Sequence, residues 1–257
     1  MTYRLVQLPS GREVGMTGLG DPAGERLAVL LHPTPGASGF DPAPDVTARS
    51  GLHLLTFERP GYGATEQEII SVTQWVDDLA GYLREAEASA RERPAQTNYG
   101  GIGVIGWREG GIYAAALAAR HPRLVNRLVL VAAPAPSRAA NAHAFQAELT
   151  LTRASDGPLG YPDRVQRMLE TAFTQGDAGT IADHHAFEEP IPAPLQVRAE
   201  TLILYGTTDA YATVHDAQWY AHVASRARVE RVTGAADIIG RHWQRITDFL
   251  NPEPTSE

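Results

Sequence analysis

The sequence predicts an α/β protein: a mostly parallel central sheet, helices on both of its faces and a small helical lid. Three observations carry that expectation. The apolar runs Leu27–Leu31, Leu128–Ala132 and Thr201–Tyr205 have the composition of strands buried on both faces. Helix-like segments fall between such runs, so strand and helix alternate along most of the chain. The alternation stops between about Pro136 and Pro194, where helical pieces occur without a strong strand.

The elements follow in order. Residues 3–8 and 12–18 read as two short strands around a turn at Pro9-Ser10-Gly11. Gly18–Gly24 reads as a loop. Leu27–Leu31 is a buried strand that must stop at His32-Pro33-Thr34-Pro35-Gly36, which cannot be helical. A short helix is expected over 43–50 and a strand over Leu52–Phe57, closed by the turn Glu58-Arg59-Pro60-Gly61-Tyr62-Gly63. Ser71-Val72-Thr73-Gln74 is a capping box. It opens a helix to about Ala88, with Val72, Trp75, Val76, Leu79 and Leu83 on one face. Gly101–Ile105 is the next strand, and Ile112–Arg120 is helical. After the strand at Leu128–Ala132, helical pieces are expected at Ala139–Thr150 and Asp163–Phe173, within a lid spanning 136–194. The sheet resumes at Thr201–Tyr205. A helix at about 213–224, a strand at 228–232 and a helix at about 240–250 complete the core, which comprises 1–135 and 195–250. Residues 251–257 read as a disordered tail.

Composition narrows the function. The 257 residues carry a formal net charge of −8, with Lys+Arg 22 spread singly, so a nucleic-acid role is not expected. The chain has no cysteine, which excludes disulfides, thiolate catalysis and cysteine metal sites. No apolar run approaches membrane-spanning length and no secretory segment is seen. A cytoplasmic protein without cofactor, metal or membrane contact is expected, with a small-molecule ligand as partner and a homodimer as a further option.

The richest stretch is Val104-Ile105-Gly106-Trp107-Arg108-Glu109-Gly110-Gly111. An apolar strand enters a glycine-framed turn and an alanine-rich helix follows. That is the outline of a nucleophile elbow, G-x-S-x-G, with Arg108 in place of the serine. Taken together, His32-Pro33-Thr34-Pro35-Gly36, Glu58-Arg59-Pro60-Gly61-Tyr62-Gly63, the elbow, the lid, Gly206-Thr207-Thr208-Asp209 and the last loop before a C-terminal helix resemble the α/β-hydrolase fold family. The likeness covers nearly all of residues 2–250. It is nearest to members with H-G-T-P-G, D-R-P-G-Y-G, G-W-S-G-G-G and a late G-x-G-H.

The resemblance implies a site at the C-terminal edge of the sheet, and the departures there matter most. The nucleophile position is Arg108, and the glycine after it is Glu109. Asp237 stands in Gly234-Ala235-Ala236-Asp237 where the catalytic histidine would be. Pro33 and Glu58 replace a glycine and an aspartate. Only the triad acid, Asp209, is kept. Arginine has no acceptor lone pair and stays protonated, so acyl-enzyme hydrolysis is not expected. Asp209 and Asp237 are both expected to face Arg108. The cation then either plugs the site as an ion pair or presents its fork to an anionic or carbonyl ligand. The family's oxyanion donors would be the backbone N–H groups of Thr34 and Glu109, which could still polarise a carbonyl. The Glu109 side chain itself is expected to point elsewhere.

Arg108, Asp237, Asp209 and His32 are therefore the candidate catalytic residues, although the resemblance makes a histidine at position 32 structural. Thr34, Glu109, Trp107, Tyr62, His184 and His185 are the candidate ligand-binding residues. A lid histidine would supply acid–base chemistry, with a solvated loop as the plainer reading of the His184-His185 pair. Trp107 is expected to pack under the lid, and Tyr161, Phe173 and Phe187 to line it. Three functions stay open. The first is a non-hydrolytic isomerase, cyclase or lyase acting on a small carbonyl-containing metabolite. The second is a catalytically inactive pseudo-hydrolase that binds a ligand or partner protein. The third is a weak hydrolase using a water activated by Asp237 or Asp209.

Overall fold

The computed structural model describes residues 2–24, 26–91, 101–140, 157–189 and 195–251, without the side chains of 89–91. Its strands are β1 (Thr2–Gln7), β2 (Glu13–Gly20), β3 (Arg26–Leu31), β4 (Leu52–Phe57), β5 (Ile102–Trp107), β6 (Val125–Val131), β7 (Glu200–Gly206) and β8 (Ala227–Val232). The helices are α1 (Pro44–Arg49), α2 (Val72–Arg91), α3 (Gly110–Arg120), α4 (Pro136–Ala139), α5 (Tyr161–Ala172), α6 (Ala178–Glu188), α7 (Val214–Val223), α8 (Ile238–Arg241) and α9 (Trp243–Leu250). The strands form one sheet in the order β1-β2-β4-β3-β5-β6-β7-β8. β2 runs antiparallel to β1 and β4, and every other neighbouring pair is parallel.

Both faces of the sheet are covered, which explains the unbroken apolar runs. Successive strand residues point to opposite faces. In β3, Leu27, Val29 and Leu31 enter the core under α2 and α3, while Ala28 and Leu30 enter the one under α5 and α9. Val72, Trp75, Val76, Leu79 and Leu83 of α2 are all at most 2 % exposed, as their spacing predicts. The capping box at the start of α2 is formed: Ser71 N donates to Gln74 Oε1 at 2.9 Å and Gln74 N donates to Ser71 Oγ at 3.1 Å. Truncating a buried leucine of that stripe to alanine would cost about 2–5 kcal/mol.

Three local expectations need correction, and a fourth lies largely outside the described residues. Gly18–Gly20 is strand rather than loop, because Gly18 pairs with Leu55 and Gly20 with His53 across the antiparallel ladder. The last helix is two pieces, α8 and α9, broken at His242 (φ −108°). The helix expected at Ala139–Thr150 meets the structure only at Ala139, the end of α4; its residues 141–150 lie outside the described residues, as does 252–257 of the expected tail. Finally, α6 was not expected. Its apolar residues Ile181, Ala182, Ala186 and Phe187 are small or clustered, so the sequence shows no clean stripe. α5 and α6 pack into the two cores rather than standing clear of them: Val165, Met168 and Leu169 join one, Ala186 the other. Among the described residues no helix is long and apolar enough to cross a membrane.

Candidate functional site

β5 ends at Trp107 and the chain turns at once into α3. Arg108 sits on the turn with φ 54°, a left-handed conformation that costs an L-residue roughly 1–2 kcal/mol. Backbone bonds hold it there: Arg108 N donates to Val131 O at 3.0 Å and Gly111 N to Arg108 O at 2.9 Å. The framing glycines are demanded by close approach. A Cβ on Gly106 would run into Gly111 Cα, and one on Gly110 into the Leu31 carbonyl oxygen. The elbow geometry is thus intact, with a cation at its apex.

That cation is fully buried. Arg108 Nη1 donates to Asp209 Oδ2 at 2.8 Å, and both side chains of the pair are 0 % exposed. The guanidinium carbon also lies 4.6 Å from the centroid of the Tyr211 ring. Asp209 is fixed by its own loop, accepting at Oδ1 from Tyr211 N (2.9 Å) and Ala212 N (3.0 Å). Arg108 Nε and Nη2 have no hydrogen-bond partner among the described residues. A buried charge of this kind is tolerable only while its counter-charge stays in place.

Glu109 does not point away. Thr34 N donates to its Oε2 at 3.0 Å, with both residues buried. The loop N–H expected to polarise a ligand's carbonyl is therefore engaged by a carboxylate of the chain itself. Tyr211 ties the two halves together. Its phenol is pushed up by burial and then by the Glu109 carboxylate beside it.

Asp237 departs from expectation. It does not pair with Arg108. Its carboxylate accepts from Ala235 N at 3.1 Å (Oδ1) and forms an ion pair with Arg241. The reason is local: Arg241 is four residues on, where a short helix brings the two side chains together. Tyr161, at the start of α5, lies near enough to both charges for Asp237 to raise its phenol and Arg108 to lower it, although burial dominates and drives it up. The Tyr161 hydroxyl is buried without a hydrogen-bond partner among the described residues.

His32 is buried, and its bonds fix the tautomer: Nε2 accepts from Arg59 N at 3.4 Å, so Nδ1 carries the proton it donates to Pro33 O at 2.8 Å. Burial, and then the Arg59 cation, depress its pKa well below the usual value, so the ring is neutral. Both nitrogens are spent inside the loop, and His32 is not placed to move a ligand's proton. His184 and His185 are on α6 with side chains 48 % and 45 % exposed, each facing Glu188. They are on a solvated face of α6. Trp107 is a wall: its Nε1 donates to Ala236 O at 3.0 Å and its ring stacks on Phe40 at 4.9 Å.

Tyr62 belongs to a polar cluster that sequence reasoning missed. Asp183 of α6 is completely buried and accepts five bonds. Arg59 Nε and Nη2 donate at 2.7 and 2.6 Å, Thr34 Oγ1 at 2.6 Å, and the Tyr62 and Tyr113 hydroxyls at 2.8 Å each. Arg59 also donates to the carbonyls of His32 and Pro33. Burial pushes the Asp183 carboxyl up, but the Arg59 charge and the donated bonds outweigh it and hold it below the usual range. This cluster pins α6 to the loop 32–36 and to α3. Arg59 was visible in its motif, whereas Asp183 stands 124 residues away with no sequence signal.

No protein-family model matches the chain, and no curated protein matches it. Solved structures do. An enol-lactonase from Burkholderia xenovorans LB400 superposes with a TM-score of 0.71 at 18% identity, covering 95% of this chain and 97% of that one. For an esterase from Exiguobacterium antarcticum the values are 0.74, 15%, 97% and 98%. For a bromoperoxidase from Bacillus anthracis they are 0.69, 15%, 96% and 97%. At such identities the likeness shows the fold alone, and the fold is that of the α/β-hydrolases.

Proposed function

We propose that this chain is a non-hydrolytic protein of the α/β-hydrolase fold, a pseudo-hydrolase that binds a small organic ligand without cleaving it. The observation that carries the reading is the double occupation of the elbow. The nucleophile position holds a cation paired to the triad acid at 2.8 Å, and the loop N–H of Thr34 is capped by Glu109. A hydrolase needs a nucleophile, a base in reach and a free oxyanion site. Here Asp209 has both oxygens engaged and Asp237 is committed to Arg241. The water-activated hydrolase is therefore the weakest reading.

A second reading, a repurposed isomerase, cyclase or lyase, draws on one feature. Arg108 Nε and Nη2 and the Tyr161 hydroxyl are buried donors without partners among the described residues. Such groups would polarise a carbonyl if a ligand reached them. The binding reading ranks first because the nucleophile position holds a cation and the carboxylates of Asp209, Glu109 and Asp237 are each already engaged within the chain.

Turnover separates the readings. The binder predicts no hydrolysis of simple esters or lactones above the buffer rate, and gained ester hydrolysis in Arg108→Ser/Glu109→Gly/Asp237→His. Wild-type hydrolysis lost in Asp209→Asn or Asp237→Asn would overturn it. Non-hydrolytic conversion of a carbonyl compound, lost in Arg108→Ala, would favour the second reading.

A further inference from the structure

Away from the elbow, a half-open groove of about 470 Å³ runs between α5 and the loop 38–44. None of Arg108, Glu109, Thr34, Asp209 or Asp237 lines it. Its volume falls within the ordinary range of small-molecule sites. Leu19, Phe40, Pro44 and Met168 give it an apolar wall, and Arg164 and Arg167 bring two cations to the same groove.

The charged residues on the groove are Arg164, Arg167 and Asp41. Arg164 uses its nitrogens on neutral acceptors, the carbonyls of Asp41 (2.8 Å), Leu159 (2.9 Å) and Pro42 (2.9 Å). Its guanidinium is thereby held rigid, with no ion pair among the described residues. Arg167 follows one helical turn later, on the same side of α5, and is exposed. Among the described residues its guanidinium makes no hydrogen bond or ion pair. The two cations repel each other: burial lowers the Arg164 pKa most, the Asp41 charge on the same groove opposes it, and the Arg167 cation adds a smaller lowering. The Asp41 carboxylate is turned to the chain's own Thr47 hydroxyl and Ala43 N–H. Two adjacent cations beside an apolar wall are complementary to one kind of small molecule: an apolar body ending in an anion.

We propose that this groove binds a medium-chain or aryl monocarboxylate, its apolar body against Leu19, Phe40, Pro44 and Met168 and its carboxylate on Arg167 and the outer edge of Arg164. The assignment supplies a ligand class for the binding role proposed above and rests on that reading. The two fail separately, because turnover reports on the elbow and the groove has its own probe.

That probe is methionine. The chain has three, Met1, Met16 and Met168. Met168 lines the groove, whereas Met16 is buried in the core on the other face of the sheet. The full-length protein with ¹³C-methyl methionine is titrated with octanoate, octan-1-ol and inorganic phosphate. Saturable octanoate binding is expected to shift the Met168 methyl and leave Met16 in place. Octan-1-ol should bind about tenfold more weakly, and Arg167→Gln should weaken octanoate about tenfold, the loss of roughly one charge-assisted contact. Arg228→Gln, an exposed charge on β8, should leave the affinity unchanged. Four results would overturn the proposal: no saturable Met168 shift, equal affinity for octan-1-ol, equal affinity in Arg167→Gln, or phosphate binding as tightly as octanoate. The last would make the arginines a general anion patch.

Discussion

Asp209→Ala removes the one ion-pair partner, among the described residues, of a guanidinium that has no solvent exposure. Among the described residues the two other guanidinium nitrogens of Arg108 have no hydrogen-bond partner, and the Tyr211 ring remains beside the charge. Stranding a buried charge by deleting its partner costs about 3–5 kcal/mol. For a chain of this size that is a fall in Tm of roughly 6–20 °C. Arg108→Met takes away the cation but leaves Asp209 its two backbone donors, so about 1–3 kcal/mol is expected. Arg108→Met/Asp209→Ala has neither charge, and replacing a buried pair by apolar side chains is often neutral or stabilising. The double variant should lie within about 1 kcal/mol of wild type or above it. The assay is urea unfolding followed by tryptophan fluorescence, closed as a double-mutant cycle. A coupling of about 3 kcal/mol or more is expected. If Asp209→Ala costs under about 1 kcal/mol, or the coupling is no larger than the roughly 0.5 kcal/mol of independent sites, the pair does not lock the elbow.

Two further outcomes follow from the same physics. Asp183→Ala strands Arg59 in the buried cluster that holds α6, so it should cost about 3–5 kcal/mol and open α6 to proteolysis before the sheet. The folded Asp183 pKa is depressed, so its stabilisation is full above the unfolded value of roughly 3.9 and is lost as pH falls through the lower folded value. His32 has the opposite charge type. Its folded pKa lies well below 6.5, so only the unfolded chain takes up this proton below that pH, and stability declines as pH drops from about 6.5. His32→Asn, which can keep the bond to Pro33 O, should flatten the stability–pH slope between about pH 5 and 6.5 by up to one proton, roughly 1.4 kcal/mol per pH unit. An unchanged slope would mean that His32 is not buried neutral.

The fold was legible because its signals are local or periodic. The capping box at Ser71 and the stripe Val72–Leu83 need only a few residues in view. Gly106 and Gly110 marked a turn so tight that even arginine at its apex adopts the elbow conformation. The pairing of Arg108 with Asp209 was legible too, since adjoining parallel strands β5, β6 and β7 bring their C-terminal ends to one edge. The rest was hidden for physical reasons. Asp237 was expected on Arg108 because the resemblance puts that position in the site, but a nearer cation, Arg241, takes it. Glu109 was read from ideal elbow geometry, which fixes the backbone and leaves a long side chain free to reach Thr34 N. The Asp183 cluster joins residues up to 149 positions apart, on a helix without a clear apolar stripe. Only the packed chain brings them together.

The central question is whether the elbow is closed by its own side chains. Hydrogen exchange at the Thr34 amide, measured in wild type and in Glu109→Ala, reports on that contact directly. Thr34 N–H, bonded to Glu109 Oε2 at 3.0 Å, is expected to be protected at least roughly a hundredfold in wild type. That protection should fall at least about tenfold in Glu109→Ala, while amides of β3 keep theirs. A Thr34 amide that exchanges at the unprotected rate in wild type, or whose protection does not change in Glu109→Ala, would contradict that closure.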